Sequence, residues 1–176
     1  MKRVKTPFLA IIAICSLACK DGKKATTESS SAEAKVENQT QQMAGVTFKD
    51  ESSSALFKDY QKLRKALVAT AKEKAKIAAE EMKMNLGENQ KEISFLTEEL
   101  SQAEDVEKQR ELFSEISQKV EPLFKGTIES GEMYKQFCPM AFEGKGGYWI
   151  SDASEIRNPY FGNKMLTCGK VTETIK

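Results

Sequence analysis

The chain has 176 residues, with 27 Lys and Arg against 26 Asp and Glu, no histidine, and a formal net charge of +1. That balance gives no electrostatic reason to expect nucleic acid as a partner. The absence of histidine excludes Cys-His and Ser-His catalysis, Cys-x-x-Cys-His haem attachment and His-ligated metal enzymes.

At the N-terminus Lys2, Arg3 and Lys5 precede a mostly apolar run from Phe8 to Leu17, followed by Ala18 and Cys19 and then an abruptly polar chain. This is the pattern of a secretory signal, too short to span a bilayer as a mature helix. The small Ala18 directly before Cys19 points to cleavage and lipidation at Cys19, although Leu17 stands two residues before the cysteine rather than three. An ordinary secreted chain and an uncleaved anchor are the alternatives. Residues 1–18 read as a lipoprotein signal peptide, and the expected location is the cell envelope, lipid-anchored, on a periplasmic face of a membrane or at the cell surface. Their removal takes away three positive charges and no negative ones, so +1 becomes −2. It also removes Cys15, leaving only Cys138 and Cys168 as unmodified thiols.

Residues 19–51 are rich in Lys, Ser, Thr, Glu, Gln and Ala, with little to bury around Thr26 to Ser31. They read as a flexible tether between membrane and folded part. From about Ser52 the pattern becomes helical. Leu56, Tyr60, Leu63 and Leu67 recur at three- and four-residue intervals, and Ala71, Ala75, Ala78, Ala79 and Met82 continue a small-residue face up to Asn85 and Gly87. Thr70 with Glu73 resembles a capping box, which would split this stretch into two helices.

A further helical stretch begins near Gln90 with Ile93, Leu96 and Leu100, and restarts near Ala103 to Asp105. Val106, Arg110, Phe113, Ile116, Ser117 and Val120 then form one face of a helix that Pro122 or Gly126 should limit. Short connections imply three or four antiparallel helices around a shared core, with the Lys and Glu runs as its solvated face. After Gly126 the helical period disappears. Ile128, Met133, Tyr134, Gln136, Phe137, Tyr148, Trp149, Ile150, Tyr160 and Phe161, set among glycines and Pro159, imply short strands and tight turns. The expected fold is mainly α, a helical bundle over part of residues 52–176 followed by a small β-rich, Cys/Met-containing C-terminal lobe.

The chemistry-bearing residues lie in that lobe. Cys138 and Met140 fall in one Cys-Pro-Met motif, and Met165 and Cys168 in one Met-Leu-Thr-Cys motif. Two thiols and two thioethers brought together suit a soft monovalent ion such as Cu(I) better than calcium or magnesium. A structural zinc site is less attractive, because zinc takes four ligands and only Glu143, Asp152 or Glu155 stand near to supply oxygen. The same two cysteines can instead close a disulfide around roughly 30 residues, as small exported domains often require. Asn158 before Pro159, with Gly162 beyond, reads as a turn that returns Met165 and Cys168 toward Cys138, and Ser151 and Asp152 as a turn or cap. Trp149, Tyr148, Tyr160 and Phe161 offer a platform for a sugar or peptide, but a small lobe needs such aromatics for its own core. Gly144, Lys145, Gly146 and Gly147 lack the Lys-Ser/Thr ending of a phosphate-binding loop. No catalytic arrangement emerges, and the chain reads as a non-enzyme.

The segments Tyr134 to Ala141, Gly146 to Ser151 and Glu155 to Gly169, with Tyr60, Ala66, Leu67 and Gln109 to Ser117 upstream, resemble a domain-of-unknown-function family. It occurs as stand-alone exported proteins, chiefly in Bacteroidetes, and fused to adaptor subunits of copper/silver-type heavy-metal efflux pumps. The resemblance spans about residues 52–172 and implies no enzymatic activity. It implies metal handling at the envelope, alongside efflux or metal-delivery proteins, with Cys138, Met140, Met165 and Cys168 as the matching soft residues. Some relatives carry histidine where this chain has Phe137, so this member would bind with a different ligand set or more weakly. The expectation is therefore a membrane-anchored domain that binds or buffers Cu(I). The alternative is a noncatalytic interaction module held by a Cys138–Cys168 disulfide.

Overall fold

The first helix starts where Asp50, in extended conformation, accepts a hydrogen bond from the Ser53 backbone N–H at 2.7 Å, satisfying one of the free donors of the opening turn. The computed structural model describes residues 45–176, so the expected signal peptide, Cys19 and most of the tether lie outside the described residues. Four helices follow in chain order: α1 (Glu51–Val68), α2 (Lys72–Met84), α3 (Lys91–Gln102) and α4 (Val106–Thr127). Each packs on the next, and α1 also packs on α4. Among the described residues no helix is long and apolar enough to cross a membrane.

Most apolar helix positions read from the sequence are buried; Ala71 and Val106 are only partly so, and Phe57, Leu112 and Phe124 join the core outside that reading. Leu56, Tyr60, Leu63 and Leu67 on α1 meet Phe113, Ile116, Val120 and Phe124 on α4, with Ala75, Ala79 and Met82 from α2 and Ile93 and Leu100 from α3. An aromatic cluster of Phe48, Phe57, Tyr60 and Phe124, with ring centroids 5.1 to 5.9 Å apart, closes one end.

Three local expectations are corrected. Thr70 does not cap α2, whose N-cap Ala71 makes no side-chain cap bond. Thr70 instead ends α1 in a left-handed conformation (φ +53°), with its N–H on Leu67 O and the Ala71 N–H on Ala66 O, the bond pattern of a Schellman turn. Pro122 and Gly126 do not stop α4, which continues through both to Thr127. The carbonyl that Pro122 leaves without a helical partner belongs to the exposed Gln118, where water can satisfy it. Finally, the folded part begins before Ser52. Strand β1 (Thr47–Phe48) pairs antiparallel with β2 (Ile128–Ser130), and Phe48 enters the core.

The C-terminal lobe holds a three-stranded antiparallel sheet in the order β4 (Gly147–Ser151), β3 (Met133–Cys138), β5 (Lys170–Ile175). Its β4 edge is sealed by α1. The Ile150 N–H donates to the Tyr60 hydroxyl at 3.1 Å, and the Ile150 carbonyl accepts from Gln61 Nε2 at 3.1 Å. Tyr60 lies 2.7 Å from Ser117, which donates to Phe113 O, so a continuous hydrogen-bond chain joins strand, α1 and α4. Burial pushes the Tyr60 pKa up to about 12, which keeps this hydroxyl protonated. Tyr160 and Phe161, expected among the strands and turns, lie in a turn. Trp149 and Tyr160 are buried against each other with ring centroids 5.7 Å apart, so neither offers an open platform.

Candidate functional site

Cys138 is the last residue of β3 and pairs with Gly147 of β4, while the pairing with β5 on the other side ends one residue earlier, at Phe137. Thirty residues later Cys168 approaches it from the loop that links β4 to β5. The two Sγ atoms stand 3.0 Å apart, not covalently bonded, with Cys138 buried and Cys168 partly exposed. The hydrogen bond between the thiols holds the Cys168 pKa above the usual thiol value, with burial adding in the same direction.

Asn158 shapes that loop. It is buried, and every polar group it carries is used. Its Nδ2 donates to Cys168 O at 2.8 Å, its Oδ1 accepts from the Tyr160 N–H at 2.8 Å, and its own N–H donates to Leu166 O at 2.8 Å. Gly162, at φ +55°, then donates its N–H to Asn158 O and turns the chain into the short 3-10 turn Gly162–Lys164. A Cβ there would stand 2.4 Å from Thr70 Oγ1 and 2.9 Å from Val68 O, so glycine is required by space as well as by angle. Gly169 (φ +146°) next lets the chain pass close to Phe137 O and Trp149 on its way into β5. The expected turn-forming role of Asn158 to Gly162 is thus the observed one.

Two further clamps hold the start of the loop. Gln136 Nε2 donates to the carbonyls of Ala153, Ser154 and Glu155 at 2.8 to 3.2 Å. Asp152 pairs with the buried Arg64 at 2.8 Å and with Lys65 at 2.9 Å. Burial pushes the Asp152 carboxyl up, but the Lys65 hydrogen bond and the Arg64 and Lys65 charges outweigh it and leave its pKa below the ordinary value. The sequence names Gln136 only as part of a strand and Arg64 not at all. A polar residue inside an otherwise apolar strand or helix face was the available signal for both.

The four soft residues separate in space into unequal parts. The cysteines meet. Met165 sits at the end of the 3-10 turn, and its carbonyl accepts the Cys168 N–H at 3.0 Å, which places it on the same turn. Met140 is 54% exposed and lines a different cleft of about 250 Å³ with Glu107, Glu111, Phe142, Glu143 and Phe161, which neither cysteine reaches. Of the acids near the motifs, Glu155 is paired with Arg157 at 3.0 Å. Among the described residues no group of three or more Cys, Asp or Glu side chains is gathered in metal-binding array.

Residues 56–131 match the family described as a protein of unknown function, DUF3347. The matched span runs from α1 through β2 and ends before Cys138, so it covers the helices and the entry to the lobe but not the thiol pair. No curated protein and no solved structure matches the chain.

Proposed function

We propose that this is a lipid-anchored cell-envelope domain, tethered through Cys19, whose reduced Cys138 and Cys168 capture a soft monovalent cation, Cu(I) foremost, alongside a heavy-metal efflux or delivery system. The observation that carries this reading is the meeting of two thiols, one buried and one partly exposed, in a chain with no histidine to compete for the role. Met165 shares the turn of Cys168 through its backbone carbonyl and is assigned as the third donor, whereas Met140 lines another cleft.

The donors fit the ion chemically, and their spacing sets a condition. Taking the zinc–thiolate length of about 2.3 Å as a guide, a linear two-coordinate ion needs the sulfurs well over about 4 Å apart, about 4.6 Å at that length. They stand 3.0 Å apart. Capture therefore requires Cys168 to move outward, which its half-exposed turn permits more readily than the strand that holds Cys138. Capture also releases the thiol protons, so affinity rises with pH.

The same spacing favours a second reading, in which the pair closes as a disulfide and the protein is a noncatalytic interaction module. A disulfide bond is about 2.05 Å long and asks for an approach of about 1 Å. The two readings meet in one protein if oxidation withdraws the thiolates that an ion needs.

The deciding experiment uses the full chain with Cys15 and Cys19 replaced by Ser, titrated anaerobically with Cu(I) against a competing chelator, alongside a free-thiol count on the natively isolated protein. One tight equivalent, lost in Cys138→Ser/Cys168→Ser, is the expected result. Fully oxidised native cysteines with no competitive binding after reduction would leave the interaction module standing.

A further inference from the structure

We propose that Arg110, on α4 and in contact with neither thiol, is a positioning residue that sets how closely Cys168 is presented to Cys138. This rests on the reading that the thiol pair is the working centre of the protein.

Arg110 is only 2% exposed, and a guanidinium is brought so far from water at high cost unless its donors are used. Nη1 pairs with Glu107 one turn away at 2.6 Å, which by itself would suffice for a helix-surface ion pair. The other two contacts reach far along the chain. Nε donates to Pro159 O at 3.0 Å, and Nη2 donates to Thr70 Oγ1 at 3.1 Å. One planar side chain thereby ties α4 to the α1–α2 turn and to the cysteine loop.

Both distant partners show that this tie is built in. Thr70 occupies a left-handed position that a β-branched residue enters only at a cost, and its hydroxyl is what Arg110 gains there. Gly162 of the cysteine loop packs against the same pair, since a Cβ on it would lie 2.4 Å from Thr70 Oγ1 and 3.1 Å from Arg110 Nη2. On the loop side, the residue before Pro159 is Asn158, whose Nδ2 holds the Cys168 carbonyl. The path is Arg110 to Pro159 O, one peptide to Asn158, and one hydrogen bond to Cys168. Cys138 is fixed independently by the sheet. The distance between the sulfurs is therefore the placement of this loop relative to β3, and Arg110 is where the helices set that placement.

The quantity that reports it is the effective concentration of one thiol at the other. Glutathione disulfide takes the two electrons: Cys138–SH and Cys168–SH give the intramolecular disulfide, while oxidised glutathione is reduced to two glutathione thiols. The equilibrium constant of this exchange is measured on the full chain carrying Cys15→Ser and Cys19→Ser. Arg110→Lys, which keeps the charge but loses the fork, is expected to lower that constant about tenfold, equivalent to a reduction potential less negative by about 30 mV. Thr70→Ala is expected to lower it in the same direction, and Thr70→Asn, which tolerates the left-handed position and keeps an acceptor, to restore it. Leu100→Ala, a cavity in α3 with no part in the path, supplies the comparison, because it lowers global stability and should leave the constant unchanged. The proposal is overturned if Arg110→Lys stays within twofold of the parent, or if Leu100→Ala shifts the constant as far as Arg110→Lys does. Neither result depends on Cu(I), so failure of metal capture and failure of this inference are separately visible.

Discussion

The helices from Glu51 to Thr127 and the lobe from Ile128 to Ile175 are held together by different physics. In the helices, apolar side chains at three- and four-residue spacing do most of the work, and the polar exceptions, Arg64, Gln109, Arg110 and Ser117 among them, lie where another element must be met. In the lobe, the loop from Asp152 to Gly169 is fixed mainly by side chains that hold backbone carbonyls. Gln136 takes three of them and Asn158 takes Cys168 O. A core of apolar packing tolerates small shifts at a graded cost, whereas a loop held by directed hydrogen bonds gives up whole bonds when it moves. The site sits on the second kind of structure and is registered against the first.

The sharpest way to break this contrast is a large cavity in the helices. Phe124→Ala removes a fully buried ring that contacts Phe48, Phe57 and Tyr60, and should cost about 3 to 5 kcal/mol in urea unfolding. The thiol–disulfide constant measured in the folded state should not move. If it falls together with stability, helices and loop are one mechanical unit and the contrast fails.

A smaller effect sharpens the lobe side. In oxidised protein, Cys168→Ser should cost about 2 to 4 kcal/mol, the value of a cross-link closing a loop of this length. Under reducing conditions the cost should nearly vanish, since only a hydrogen bond between thiols is lost. Equal destabilisation in both states would mean that Cys168 contributes by packing alone.

The two regions were also unequally legible. The helices announce themselves because burial there repeats with the helical period, so Leu56, Tyr60, Leu63 and Leu67 named a face before any contact was known. Their ends were less legible. Thr70 carries the chemistry of an N-cap, yet a hydroxyl bonded by Arg110 holds it in a position usually given to glycine, and nothing local announces a partner 40 residues away. Pro122 reads as a stop signal only if its orphaned carbonyl faces the core, and it does not. In the lobe, the pairing of Cys138 with Cys168 and the turn at Asn158 were visible in composition. The separation of Met140 from the thiols was not. Three successive left-handed residues, Phe142, Glu143 and Gly144, form the turn that follows it, and two of the three are residues that rarely adopt that conformation. Strand β5 was missed for a simpler reason: five of its six residues are exposed, so it carries no alternation of buried and solvated positions to read.

The smallest effect expected is in the pH dependence, and it tests whether the ion pair at the loop entrance belongs to the folded state. Asp152 is charged beside Arg64 and Lys65, and its pKa in the folded protein lies below the ordinary carboxylate value of 3.8. A group depressed on folding stabilises the protein fully above its unfolded pKa, and that stabilisation is lost as the pH falls through the folded value. Stability measured by urea unfolding should therefore hold near neutrality and decline below about pH 4, where the unfolded chain takes up the proton first. In Asp152→Asn part of that decline should be absent. Some slope must remain, because Glu121 is likewise depressed: burial raises it, but Lys125 and Lys135 lower it further. An unchanged acid slope in Asp152→Asn would mean that solvent, rather than the Arg64 guanidinium, neutralises this carboxylate. The loop entrance would then lean on Gln136 alone.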